Sequence, residues 1–67
     1  MSKYKKKILE ILDKDIIKST NEILRELEQA TKKRINWHHL HRILTDLEND
    51  GAVQKLKAKA GFFWKKK

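Results

Sequence analysis

After Gly51 the apolar residues of this chain change period. Up to that glycine they recur at the spacing of one helix face, and beyond it "AVQKLKA" and "FFWKKK" are rich in strand-forming residue types. In a chain of 67 residues this switch calls for a few short helices followed by one two-stranded hairpin, making a single domain over residues 1–67. There is no cysteine to staple such a fold, so the core must come from Ile, Leu, Phe and Trp spread thinly over short elements.

The helical part divides in three. Tyr4, Ile8, Ile11 and Leu12 mark a first helix at about residues 3–14, and the β-branched "DIIKS" predicts a brief extended segment around Ile16 and Ile17. "STNE" has the form of a capping box, with the Ser19 side chain accepting from the Glu22 backbone N–H and Glu22 reaching back to Ser19. It opens a second helix at about 20–32, whose buried face is expected from Ile23, Leu24, Leu27 and Ala30. Asn36 is a good N-cap for a third helix at about 37–49, with Ile35 and Leu40 spaced as a hydrophobic staple. Trp37, Leu40, Ile43, Leu44 and Leu47 form its inward stripe, and Gly51 suits the left-handed residue that ends it. The hairpin is expected over about 52–65 with its turn at "KAG", leaving a basic tail at 65–67. Which of Phe62, Phe63 and Trp64 faces inward depends on a register that alternation alone leaves open. Trp64 is balanced between packing within the hairpin and a dimer contact.

Charge narrows the function. Seventeen basic side chains against nine acidic ones give a net charge of +8, which favours an anionic partner. A solubility surface or heat adaptation would also raise lysine content, but neither explains the segregation. Residues 52–67 hold six lysines and no acid, and a second basic knot, Lys32, Lys33 and Arg34, stands just before the third helix. No apolar run approaches the roughly 20 residues that span a bilayer, and Glu10 and Asp13 break the only stretch resembling a leader. The absence of cysteine fits an intracellular protein.

All three histidines, His38, His39 and His41, fall in "NWHHLHR". His38 and His41 can share a helix face, which is acceptable metal-ligand spacing, but no cysteine exists and no acid lies one turn from His38. A nucleophile–base pair lacks a placed hydroxyl, since the serines are only Ser2 and the cap Ser19, and no phosphate-cradling glycine loop is present. Neither catalysis, a metal, a cofactor nor a small-molecule substrate is therefore expected. The plain alternative is a solvated polar face, with His41 packing at the edge of the apolar stripe. Against it, Arg42 stands one turn after His38 on the outward face, where Arg and His can bond bases or phosphates.

The order helix, short strand, helix, helix, hairpin resembles the winged helix-turn-helix superfamily. "LHRILTDLENDGAVQK" is similar to the end of a winged-helix recognition helix and the start of its wing, and "STNEILREL" to the second helix. The link "TKKRI" departs from the pattern by lacking a glycine. Trp64 also resembles the wing tryptophan of Z-DNA-binding members, but Thr45 stands where those have a tyrosine, and the wing prolines are missing. The resemblance implies a mainly α fold with a small wing and a DNA-binding transcriptional regulator as its function. The third helix would enter the major groove of double-stranded DNA with Asn36, His38, His39, His41 and Arg42. Lys55, Lys57 and Lys59 of the wing would lie on the backbone or minor groove. Both a monomer and a homodimer joined through helix one or the wing are open. RNA or ribosome association and a protein-interaction module are the other functions found on this fold. The Lys-, Ile- and Glu-rich composition points towards an archaeal or viral source.

Overall fold

The computed structural model describes residues 3–67 and places Met1 and Ser2 outside the described residues. Helix α1 runs over Lys3–Ile11, strand β1 over Lys18–Ser19, helix α2 over Thr20–Thr31 and helix α3 over Trp37–Asn49. Strands β2, Val53–Ala58, and β3, Gly61–Lys66, form the hairpin. The three strands make one antiparallel sheet in the order β1-β3-β2, so the last strand lies between the other two.

Local chemistry explains each boundary. Helix α1 stops at Ile11, short of the expected residue 14, and the Asp13 carboxylate takes the Asp15 backbone N–H at 2.9 Å. A short acidic side chain that bonds its own backbone offers the chain an alternative to another helical turn. The extended segment then falls at Lys18–Ser19, two residues later than "DIIKS" predicts, and leaves Ile16 and Ile17 exposed. The capping box of α2 forms in both directions, Glu22 N–H to Ser19 Oγ and Ser19 N–H to a Glu22 carboxylate oxygen, each at 3.1 Å. Ile23 and Leu27 are buried on α2 and Leu24 packs beside them, but Ala30 is exposed. At the far end of α3, Gly51 is left-handed at φ 79°. Its N–H donates to the Glu48 carbonyl and that of Ala52 to the Leu47 carbonyl, the paired bonds of a Schellman ending.

The core joins Ile8 and Leu12 of the first helical segment to Ile23, Leu27, Ile35, Leu40, Ile43, Leu44, Leu47, Val53 and Trp64. Trp64 is the largest fully buried side chain. It lies opposite Lys18 on one side and Lys55 on the other, and its indole N–H donates to Thr20 Oγ1 at 2.8 Å. That bond satisfies the polar atom which would otherwise make a buried tryptophan costly. The balance struck from sequence between hairpin packing and a dimer contact is thus resolved inwards, within one chain. Trp37 is the reverse case: expected on the inward stripe, it is half-buried and stands outside the core cluster. The C-terminus also differs from a basic tail. Lys65 and Lys66 belong to β3, and the Lys66 and Lys67 N–H groups donate to the Asp13 and Ala52 carbonyls at 3.2 Å.

Candidate nucleic-acid interface

Three basic side chains and a cap lead into α3. Lys32 ends α2 in the left-handed conformation at φ 56°, where the expected glycine is lacking. The Ile35 N–H donates to a Glu28 carboxylate oxygen at 2.9 Å, which pins the link to α2. Asn36 Oδ1 then accepts the N–H groups of His38 at 2.7 Å and His39 at 3.4 Å. Its side-chain oxygen is therefore spent on starting the helix, leaving only the amide N–H₂ to meet a ligand. Ile35 and Leu40, the expected staple pair, are both buried in the core.

This arrangement exposes Lys32, Lys33, Arg34, Asn36, His38, His39 and Arg42. His38 and Arg42, one turn apart, share a face of α3. His39 makes a T-shaped contact with Tyr4 of α1, centroids 5.9 Å apart, so it borders the helix packing while remaining exposed.

His41 is placed differently from its neighbours. Half-buried, it stacks on Trp37 with centroids 5.0 Å apart and planes at 7°, and it tilts against Phe62 of β3 at 5.3 Å. Trp64 makes a T-shaped contact with the same ring at 6.0 Å. The imidazole Nδ1 is buried and has no hydrogen-bond partner among the described residues. His41 thus joins α3 to the hairpin and does not stand on the exposed face with His38 and Arg42.

The hairpin lysines also separate. Lys57 and Lys59 are exposed, Lys59 in the turn itself. Lys55 is half-buried nearer the base, its Nζ 3.9 Å from a Glu48 carboxylate oxygen and 5.2 Å from the Phe62 ring centre. Between the hairpin turn and the starts of α2 and α3 lies a cleft of about 280 Å³, lined by Ser19, Thr20, Asn21, Trp37 and residues 60–62. Sequence reading passed over Thr20 and Asn21 there, although the capping box one residue earlier marks the first turn of α2, where backbone N–H groups lack helical partners.

Ion pairing divides the cations. Lys5 pairs with Asp50, Lys7 with Glu10, Lys18 with Glu26 and Lys55 with Glu48. Among the described residues no ion pair engages Lys32, Lys33, Arg34, Arg42, Lys57 or Lys59. Nor does any group of three His, Asp or Glu side chains there come together as a metal site. None of the described helices is long and apolar enough to cross a membrane.

Three helices and a three-stranded antiparallel sheet ending in a hairpin define a winged helix-turn-helix. The structure of H. salinarum RosR grown from NaBr matches it with a TM-score of 0.89 and 28% sequence identity, covering 100% of this chain and 61% of that one. The complex structure of hsRosR-S4 matches with the same TM-score and identity, covering 100% of this chain and 58% of that one. This chain therefore spans about three fifths of the length of those RosR chains. No family model matches the sequence, and no curated protein does.

Proposed function

We propose that this protein binds double-stranded DNA and acts as a transcriptional regulator. In this reading the N-terminal half of α3 enters the major groove, with His38, His39 and Arg42 towards the base edges. Lys32, Lys33 and Arg34 hold the adjacent backbone at the start of the helix, while Lys57 and Lys59 of the hairpin hold it on the flank. Asn36 reaches the duplex only through its amide N–H₂, and His41 acts indirectly by fixing the angle between α3 and the hairpin. Lys55 is a weaker candidate because Glu48 already competes for it.

The observation that carries the proposal is placement: of the exposed cations in no ion pair among the described residues, six stand on the link, α3 and the wing, while Lys6, Lys14, Arg25 and Lys67 are spread over the rest of the chain. Cations that serve only solubility have no reason to collect on the elements around one helix end, whereas phosphate contacts require it. Asp46, exposed further along α3, keeps the contact to the first half of that helix. Duplex affinity measured across a salt series tests the reading. If all six cations reach phosphate, log K against log salt should have a slope of about −5. Affinity indifferent to salt, or a single-stranded or duplex RNA that displaces DNA at equal concentration, would overturn it.

A further inference from the structure

The exposed residues of α3 are His38, His39, Arg42, Asp46 and Asn49, and the acid at Asp46 closes off the half that meets base edges in the reading above. That half carries donors and little else. Arg42 offers N–H donors and no acceptor. Among the described residues no ion pair holds it, Asp46 one turn on included. His38 stands one turn before Arg42, its ring at 87° to Trp37 with centroids 5.3 Å apart. His39 is turned off that line, against Tyr4. The one amide at this end of the helix is Asn36. Reading adenine takes both halves of an amide, the oxygen for N6–H₂ and the nitrogen for N7. The Asn36 oxygen already accepts from the His38 and His39 N–H groups, so that device is closed. No exposed apolar side chain stands between residues 36 and 42 to meet a thymine methyl, and Trp37 is half-buried against His41.

Resting on the DNA-binding reading, we propose that α3 selects a guanine through Arg42 and, one or two steps away on the same strand, a second purine through His38. Guanine is the one base whose major-groove edge shows two neighbouring acceptors, O6 and N7, and the Arg42 fork fits both. Adenine sets a donor beside N7, cytosine presents a donor, and thymine has one acceptor flanked by its methyl. Each of these leaves Arg42 N–H groups unmatched. His38 brings a ring N–H, which a purine N7 accepts. Side chains three or four apart on one face of a recognition helix meet neighbouring bases, principally of one strand. The choice falls to these two side chains because Lys32, Lys33 and Arg34, held to phosphate in the same reading, carry no sequence information.

Selection from a random pool of duplexes by the full chain should return a guanine with a purine one or two steps from it. In the selected duplex, 7-deaza analogues remove N7, whereas inosine keeps O6 and N7 and drops only the minor-groove amine. The deaza change should weaken binding about tenfold at the guanine and about threefold at the second purine. Inosine at the guanine should cost less than about twofold. Arg42→Ala should abolish the deaza penalty at the guanine and leave that at the second purine, and His38→Ala should do the reverse. The analogue arms use the unaltered protein, so they decide the matter even if a variant fails to fold. Equal binding of deaza and natural duplexes would overturn the proposal, as would a penalty from inosine alone. So would a selected pool in which Arg42→Ala relaxes a preference for adenine or a pyrimidine. If salt-dependent duplex binding persists through those outcomes, the DNA-binding reading stands without this one; its absence overturns both.

Discussion

His41 lies flat on Trp37, one helical turn before it, with ring planes 7° apart, and the same imidazole reaches Phe62 on the last strand at 5.3 Å. One side chain thus couples the helix that presents His38 and Arg42 to the hairpin that presents Lys57 and Lys59. Such ring pairs are worth roughly 0.5–1.5 kcal/mol each beyond their buried area. His41→Ala is therefore expected to cost about 1–3 kcal/mol and to speed amide exchange in the hairpin more than in α1. His41→Phe keeps the stack and removes the unpartnered Nδ1, so it should hold or raise stability. Denaturant unfolding with hydrogen exchange checks both. Uniform exchange rates in His41→Ala would show that the ring is a local contact and not a joint.

Thr20 gives a second, sharper test. Its hydroxyl accepts from the buried Trp64 indole and donates towards the Phe62 carbonyl at 3.4 Å. Thr20→Val keeps the shape and removes the acceptor, leaving an indole N–H unpaired in the core at a cost of about 1–3 kcal/mol. Thr20→Ser retains the hydroxyl and should lose less. Urea midpoints of the two variants give the comparison, and a loss in Thr20→Ser with none in Thr20→Val would mean that the methyl group matters and the hydrogen bond does not.

These two contacts also mark where the sequence stops being legible. Helix starts were readable because Ser19, Glu22 and Asn36 act on backbone a few residues away, and all three make the bonds their spacing predicts. The exchange of roles between the two tryptophans was not readable. Trp64 becomes core because β3 inserts between β1 and β2, a long-range pairing that no local period encodes. Once Trp64 fills the space between sheet and helices, Trp37 is left half-buried at the entrance and recruits His41. Ala30 shows the same limit from the other side, for its spacing fits the buried stripe but α2 has no neighbour there. For the candidate site, the exposure of Lys32, Lys33, Arg34, Arg42, Lys57 and Lys59 follows from their charge, whereas the packing of His41 and the Lys55–Glu48 pair depend on geometry in three dimensions.

Lys32 holds a left-handed conformation that an L side chain adopts at a cost of roughly 1–2 kcal/mol. Lys32→Gly removes that cost while adding freedom to the unfolded chain, so a net gain of about 0.5–1 kcal/mol is expected. Lys32→Ala keeps the Cβ and should gain nothing. Thermal unfolding of both variants measures this directly. A stabilised Ala variant would mean that relief of charge repulsion among Lys32, Lys33 and Arg34 is responsible, and the backbone is not.

The interface itself can be dissected by charge. Each phosphate neutralised by a protein cation adds nearly one unit to the slope of log affinity against log salt. Replacing the exposed Lys57 and Lys59 by Gln should reduce that slope by about two, weaken all duplexes alike and leave unfolding unchanged, since neither side chain is packed. Lys55→Gln should reduce it by less than one and cost some stability, because Lys55 already bridges Glu48 and Phe62. Arg42→Ala is expected to behave differently again, losing about 1–3 kcal/mol on a selected duplex and relaxing the preference at one base position. If Arg42→Ala instead weakens every duplex equally, Arg42 is a phosphate contact and the sequence is read elsewhere on α3. An unchanged salt slope in the folded Lys57→Gln and Lys59→Gln variant would take the hairpin out of the interface and leave the link and α3 as its whole extent.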